Sequence, residues 1–182
     1  MINGRGRKEA GARDRDFLAD QLQSWRERIF LICLGYTRNR VEAEELAQDV
    51  LCRAWERPGM FQDAEHFGRW IVIVTRNRCR EHFRTARLRG LLLDRNRPPA
   101  APQETPEDRA LRDETVRSVK KAVADLPEKL RSVLVLREYG DLSYQEIAAA
   151  LGIDLGTVMS RLNRARQGVL RRSGLSKTGS HR

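Results

Sequence analysis

The chain has 182 residues, enough for one domain or two small ones. Its 35 Lys and Arg against 25 Asp and Glu give a net charge of +10, which favours a polyanionic partner, nucleic acid or anionic lipid. No apolar run approaches the roughly 18 residues needed to cross a bilayer, so no membrane insertion is expected.

Residues 1–15 read as a basic, disordered tail. The start, MINGRGRKEAGARDRD, lacks the apolar stretch of a secretory signal. Cys33, Cys52 and Cys79 are far apart and without any CxxC, and the 3 histidines are equally scattered. That pattern offers no zinc-ligand spacing, so no metal and no cofactor is expected. Reduced, mostly buried thiols in a cytoplasmic protein are the plain expectation.

A first helical block is expected over 16–93. Phe17, Leu22, Trp25, Ile29, Ile32 and Cys33 make an approximate helical stripe. A second helix over 41–56 buries Ala43, Leu46, Ala47, Val50 and Ala54, with Trp55 a further candidate. Its outer face carries Glu45, Gln48 and Asp49 at i, i+3 and i+4. An acidic-amide cluster in a basic protein is either a solvated helix face or a protein-binding surface. Residues 67–74, FGRWIVIV, are almost continuously apolar and must be buried. From Thr75 the chain reads TRNRCREHFRTARLR, with Arg76, Arg78, Arg80, Arg84, Arg87 and Arg89 against Glu81. A nearly single-sign arginine face repels itself unless a polyanion neutralises it, so this helix is expected to meet nucleic acid. Phe61 and Phe67 flank the preceding loop, QDAEH. They either stack an unpaired base or anchor the loop by hydrophobic contact.

Residues 94–109, DRNRPPAAPQETPEDR, hold Pro98, Pro99, Pro102 and Pro106 and no large apolar residue, the composition of a flexible linker. Fully extended, about 20 such residues would reach roughly 70 Å, or about two turns of B-DNA. Thr105-Pro106 has the form of an N-cap and first helical position, where the next helix is expected to start. A second block over 110–173 follows, then a tail, 174–182. No strand-like alternation or internal repeat is visible. The expected fold is all-α, two small helical domains joined by a Pro-rich flexible linker.

The second block ends in SYQEIAAALGIDLGTVMSRLNRARQGVLRR, which has the features of a helix-turn-helix. Ser143 and Glu146 form a capping box at the first helix, which turns Ile147 and Leu151 inward beside small Ala148. Gly152 sits at the turn, where positive φ is cheap for glycine. The second helix is capped by Asp154 and buries Val158, Leu162, Ala165 and Val169. Its opposite face shows Thr157, Ser160, Asn163, Arg164, Gln167 and Arg171. Between Arg161 and Arg172 there are several arginines and no acid, as a helix set against phosphates needs.

Three segments together, AEELAQDVLCRAWE, FGRWIVIVTRNRCREHFR and LPEKLRSVLVLREYGDLSYQEIAAALGIDLGTVMSRLNRAR, resemble an extracytoplasmic-function sigma factor of bacterial RNA polymerase. The likeness runs nearly throughout Phe17 to Arg172; the first block is similar to region 2 and the last to region 4. The resemblance implies that Glu45, Gln48 and Asp49 dock on the clamp of the largest subunit of core RNA polymerase. It implies that Asn77 reads the non-template strand of the −10 element, with Arg76, Arg80 and Arg84 holding the backbone. Arg53, Phe61, Gln62 and Asp63 fall where the family builds a pocket for a flipped base. Ser160, Asn163 and Arg164 match positions of the −35 recognition helix, with Thr157, Arg161 and Arg171 nearer the backbone. Arg164 leads as base reader, because arginine on a guanine edge is the commonest specific major-groove contact. Family habit also implies an anti-sigma factor that clamps the two domains.

This sequence departs from the family pattern at three places. Met159 stands where many relatives carry Lys or Arg, Asp154-Leu155 replaces the usual Ser/Pro-Val, and Asn163 occupies a variable position. No general acid–base pair or phosphate-cradling glycine loop marks an enzyme. The competing expectations are a free-standing regulator with the same C-terminal reader, and an adaptor that binds polymerase without reading promoters.

Overall fold

The computed structural model describes residues 4–61, 63–93 and 114–174, with side chains described over 13–61, 63–85 and 116–174. Every described regular element is a helix. The proline-rich segment 94–109, the proposed cap at Thr105-Pro106 and Gln62 lie outside the described residues.

The first block consists of α1 (Gly4–Thr37), α2 (Arg40–Trp55) and α3 (Ala64–Leu93). Helix α1 runs back to Gly4, through the stretch read from sequence as a tail. Ala, Arg, Lys and Glu are good helix formers, and extending a helix already anchored by packing costs little. Ile29, Ile32 and Cys33 are fully buried as the stripe predicts, whereas Trp25 and Leu22 only lean on the core. Leu18 and Tyr36, absent from that stripe, are also buried. Asn39 caps α2, its side chain accepting from the backbone N–H groups of Val41 and Glu42. The expected face Ala43, Leu46, Ala47, Val50 and Ala54 is inside. Trp55 is a correction: it is 51% exposed, because it turns toward an open groove beside α1 while its neighbour Ala54 takes the fully buried side of the same turn. In α3, Phe67, Ile71 and Val72 are core residues, while Arg69 is exposed and Trp70, Ile73 and Val74 are partly covered. The run FGRWIVIV is therefore buried on one face only.

The second block comprises α4 (Glu114–Ala124), α5 (Glu128–Glu138), α6 (Tyr144–Leu151) and α7 (Leu155–Ser173). Helices α4, α5 and α6 all pack on α7. The block also packs against the first one, through α6 on α3 and α5 on α1, so a single hydrophobic cluster runs through both.

Two glycines allow that approach. A Cβ at Gly35 would stand 2.8 Å from both the Tyr139 ring and the Val135 side chain. One at Gly140 would meet the Leu136 carbonyl oxygen at 2.8 Å and Ile32 at 3.0 Å. Polar contacts lock the seam. The Tyr36 hydroxyl donates to Ser132 Oγ at 2.9 Å, and Ser132 donates to Glu128 at 2.6 Å. Arg38, at φ 58 in the α1–α2 turn, donates to the Lys120 carbonyl at 3.2 Å.

Candidate nucleic-acid interface

Helix α7 is positioned by local chemistry. Both hydrogen bonds of the Ser143–Glu146 capping box are made. Gly152 ends α6 at φ 62. Asp154 caps α7, accepting from the Thr157 backbone N–H and hydroxyl, each at 2.7 Å. Those two bonds hold its carboxyl below the ordinary aspartate value. Val158, Leu162 and Ala165 are buried, and Val169 packs on the rim. In α6 the fully inward residues are Ile147 and Ala150; Leu151 is only half-buried, because the helix ends there.

The remaining face of α7 is open. Ser160, Asn163, Arg164, Gln167 and Arg171 are exposed, with Thr157 and Arg161 on its margins. Arg161, Arg164 and Arg171 form no ion pair among the described residues, whereas Arg166, off this face, holds Glu138 at 2.8 Å. The helix thus offers hydrogen-bonding groups in its first turns and uncompensated cations along its length, the composition of a major-groove reader.

The residues singled out in the first block are engaged differently. On α2, Glu45 and Gln48 are exposed, but Asp49 is half-buried. Its carboxylate accepts from Arg53 at 3.0 Å and Arg78 at 2.6 Å. Arg53 is therefore held along its own helix. Phe67 is fully buried, which leaves it no face for a base. Phe61 is wedged edge-on against Phe67 at 4.9 Å and Trp70 at 5.1 Å. Asp63 caps α3, accepting from the His66 N–H at 2.7 Å. Of the two loop readings, hydrophobic anchoring describes Phe67 fully and Phe61 in large part.

On α3, Asn77 and Arg84 are exposed, and Arg84 forms no ion pair among the described residues. Arg76 and Arg80 reach Glu128 of α5 at 3.3 and 3.2 Å, and Arg76 also donates to Ser132 at 3.3 Å. Burial opposes ionisation of Glu128, but the Ser132 hydroxyl and the Arg76, Arg80 and Arg131 charges outweigh it and hold the carboxyl below its ordinary range. The single-sign arginine face is thus partly neutralised by carboxylates from other helices: Glu128 on α5 and Asp49 on α2. Sequence reasoning missed Glu128, Ser132 and Tyr36, because contacts across the two blocks leave no local spacing signal.

The family model described as Sigma-70 region 2 matches residues 22–89, and that for Sigma-70, region 4 matches residues 117–167. The ECF RNA polymerase sigma factor RpoE of Cereibacter sphaeroides is 31% identical over 84% of this chain and 84% of its own length. SigW of Bacillus subtilis, an ECF RNA polymerase sigma factor, is 28% identical over 88% of this chain and 90% of its own. The chain belongs to the extracytoplasmic-function sigma factors. Among solved structures, the sigma factor RpoE in complex with the anti-sigma factor NepR from Bartonella quintana shares the fold. Its TM-score is 0.66 at 23% identity, over 88% of this chain and 97% of that one. CnrH in complex with the cytosolic domain of CnrY superposes with a TM-score of 0.63 at 20% identity, over 94% and 97% of the two chains.

Helices α1–α3 of this sigma factor carry region 2, and α4–α7 carry region 4. Sigma factors are transcription regulators that confer promoter-specific initiation on RNA polymerase. No described helix is long and apolar enough to cross a membrane. No cluster of potential metal ligands occurs among the described residues. Region 2 also holds an open groove of about 760 Å³ between α1 and α2, lined by Leu22, Phe30, Gln48, Leu51 and Trp55 among others. Gln23, Arg26, Arg40 and Glu44 also line it, so the acidic-amide cluster borders a mixed apolar and charged surface through Gln48.

Proposed function

We propose that this sigma factor binds core RNA polymerase in the cytoplasm through Glu45, Gln48 and Asp49, reads a −35 element as duplex with α7, and captures −10 bases as single strand on α3. The observation that carries the proposal is the open face of α7, with Ser160, Asn163 and Arg164 turned away from a fully packed Val158, Leu162 and Ala165. Arg164 reads a base edge; Thr157, Arg161 and Arg171 hold phosphates. In region 2, exposed Asn77 reads an extruded base while Arg76, Arg80 and Arg84 follow the backbone. Arg53, Phe61, Gln62 and Asp63 border the site of a flipped base. Unstacking costs a few kcal/mol per base, so opening requires contacts available only to the extruded strand.

Arg76 and Arg80 can serve the −10 strand only after leaving Glu128. Docking on promoter DNA therefore includes separation of the two blocks, with the 94–109 segment as tether. An anti-sigma partner would act most simply by holding the closed arrangement and covering Glu45 and Gln48.

Transcription by core polymerase from promoters randomised at both elements tests this. Two separated blocks of base preference are expected. On a pre-melted template, Asn77→Ala should erode preference in the −10 block, whereas Arg84→Ala should weaken all sequences alike. Transcription without preference in either block would overturn the proposal.

A further inference from the structure

Three large apolar side chains stand exposed on the recognition helix, Leu170 near its C-terminal end and Leu155 and Met159 in its first turns. Leu155 and Met159 are 39% and 49% exposed, and neither packs against the core. They lie one turn apart and so form a continuous apolar strip. At about 100° per residue, the order round the helix from this strip is Met159, Asn163, Gln167, Ser160, then Arg171 and Arg164. Met159 is therefore the immediate neighbour of the polar reading face, in the first turns, which in a helix-turn-helix meet base edges.

Methionine has no charge with which to hold a phosphate and no strong hydrogen-bonding group for a base edge. What it offers is a flexible, polarisable apolar surface. The floor of the major groove has one apolar feature that varies with sequence, the C5-methyl group of thymine. We propose that Met159, backed by Leu155, selects a thymine in the −35 element by covering its methyl group. This rests on the assignment of α7 as the −35 reader, and it makes the position a determinant of sequence rather than of overall affinity.

The test replaces each thymine of the preferred −35 element, on either strand, with deoxyuridine, which removes the methyl group alone. Binding by holoenzyme is measured for the parent, Met159→Ala and Met159→Leu. The parent should lose about fourfold at one thymine, the value of one buried methyl group. Met159→Ala should bind the thymine and deoxyuridine forms equally, and Met159→Leu should restore the discrimination. The salt dependence should be the same in all three, because no phosphate contact changes. A parent indifferent to deoxyuridine at every position, a preferred element without thymine, or a Met159→Ala protein that still discriminates would overturn the proposal. A fall in core polymerase affinity without change of base preference would place the strip on polymerase instead, and overturn it too. If the parent has no −35 preference at all, the assignment of α7 fails and the proposal falls with it. Preference that depends on Arg164 but not on the methyl group removes only the role of Met159.

Discussion

Regions 2 and 4 present their candidate residues in opposite states. In region 4 the side chains proposed to face DNA lie on an open helix face capped at Asp154, and Arg161, Arg164 and Arg171 have no carboxylate partner among the described residues. In region 2 three of the α3 arginines are already paired inside the protein, Arg76 and Arg80 with Glu128 and Arg78 with Asp49, and Arg84 stays exposed. A paired arginine must exchange one anion for another, so its gain on binding phosphate is smaller than that of an unpaired one. Under the proposed assignment, region 4 needs no rearrangement to read DNA, whereas region 2 needs the seam with α5 to open.

The largest effect should come from the polymerase face. Glu45→Lys should weaken core binding by about 2–5 kcal/mol if the partner charge is left buried, with native helicity by circular dichroism. Glu45 is the better probe than Asp49, since reversing Asp49 also strands Arg78 and Arg53. Unchanged retention of core polymerase in a pull-down would remove the patch from the interface.

Within region 4, Arg164→Ala should cost about 1–3 kcal/mol at one or two −35 positions and relax preference there. Arg171→Ala, near the end of the helix, should weaken all sequences alike and lower the salt slope by about 1. Equal loss at every position for Arg164→Ala would make it a phosphate anchor and pass base reading to Ser160 or Asn163.

The seam itself can be broken without touching either DNA face. Gly35→Ala places a methyl group 2.8 Å from Tyr139 and Val135, and such overpacking costs roughly 1–3 kcal/mol. The blocks should separate, seen as a larger radius in solution scattering and faster hydrogen exchange in α5, while duplex reading by region 4 is preserved. An unchanged radius and exchange pattern would mean that the contact is not what holds the blocks together.

The smallest effect is that of pH. The Glu128 carboxyl is held below its ordinary value, so its contribution to closure is complete above the usual carboxylate range and is lost as pH falls through the depressed value. Acidification should therefore loosen the seam in the parent and have less effect on Glu128→Gln. The difference should be roughly 0.5–1 kcal/mol, since the ion pairs are partly solvated. Identical acid responses in the two proteins would assign the transition to other groups.

What could be read in the sequence follows the same division. The elements of region 4 rest on signals a few residues apart, namely the Ser143–Glu146 box, Gly152, the Asp154 cap and the period of Val158, Leu162 and Ala165, and all of these are present in the structure. The α2 core face was legible for the same reason, and Trp55 was not, because exposure at a helix end depends on what other helices reach. The arginines of α3 looked uncompensated because the carboxylates that meet them are remote in the chain, Asp49 in α2 and Glu128 beyond the 94–109 segment. Packing of the two blocks on one another had no trace in either hydrophobic pattern. Gly35 and Gly140, which allow it, carry no local signal of the residues they meet, since Tyr139, Val135 and Ile32 lie on the facing block.

The claim that one chain reads two promoter elements only in partnership with polymerase is tested most directly by a gel shift on a preferred promoter duplex, with and without core enzyme. A stable, sequence-specific complex should form when core polymerase and the sigma factor are both present, and neither alone should give it. Tight, specific binding by this chain alone would mark a free-standing regulator. A complex with core polymerase that ignores the promoter sequence would mark an adaptor. Either result would contradict the account.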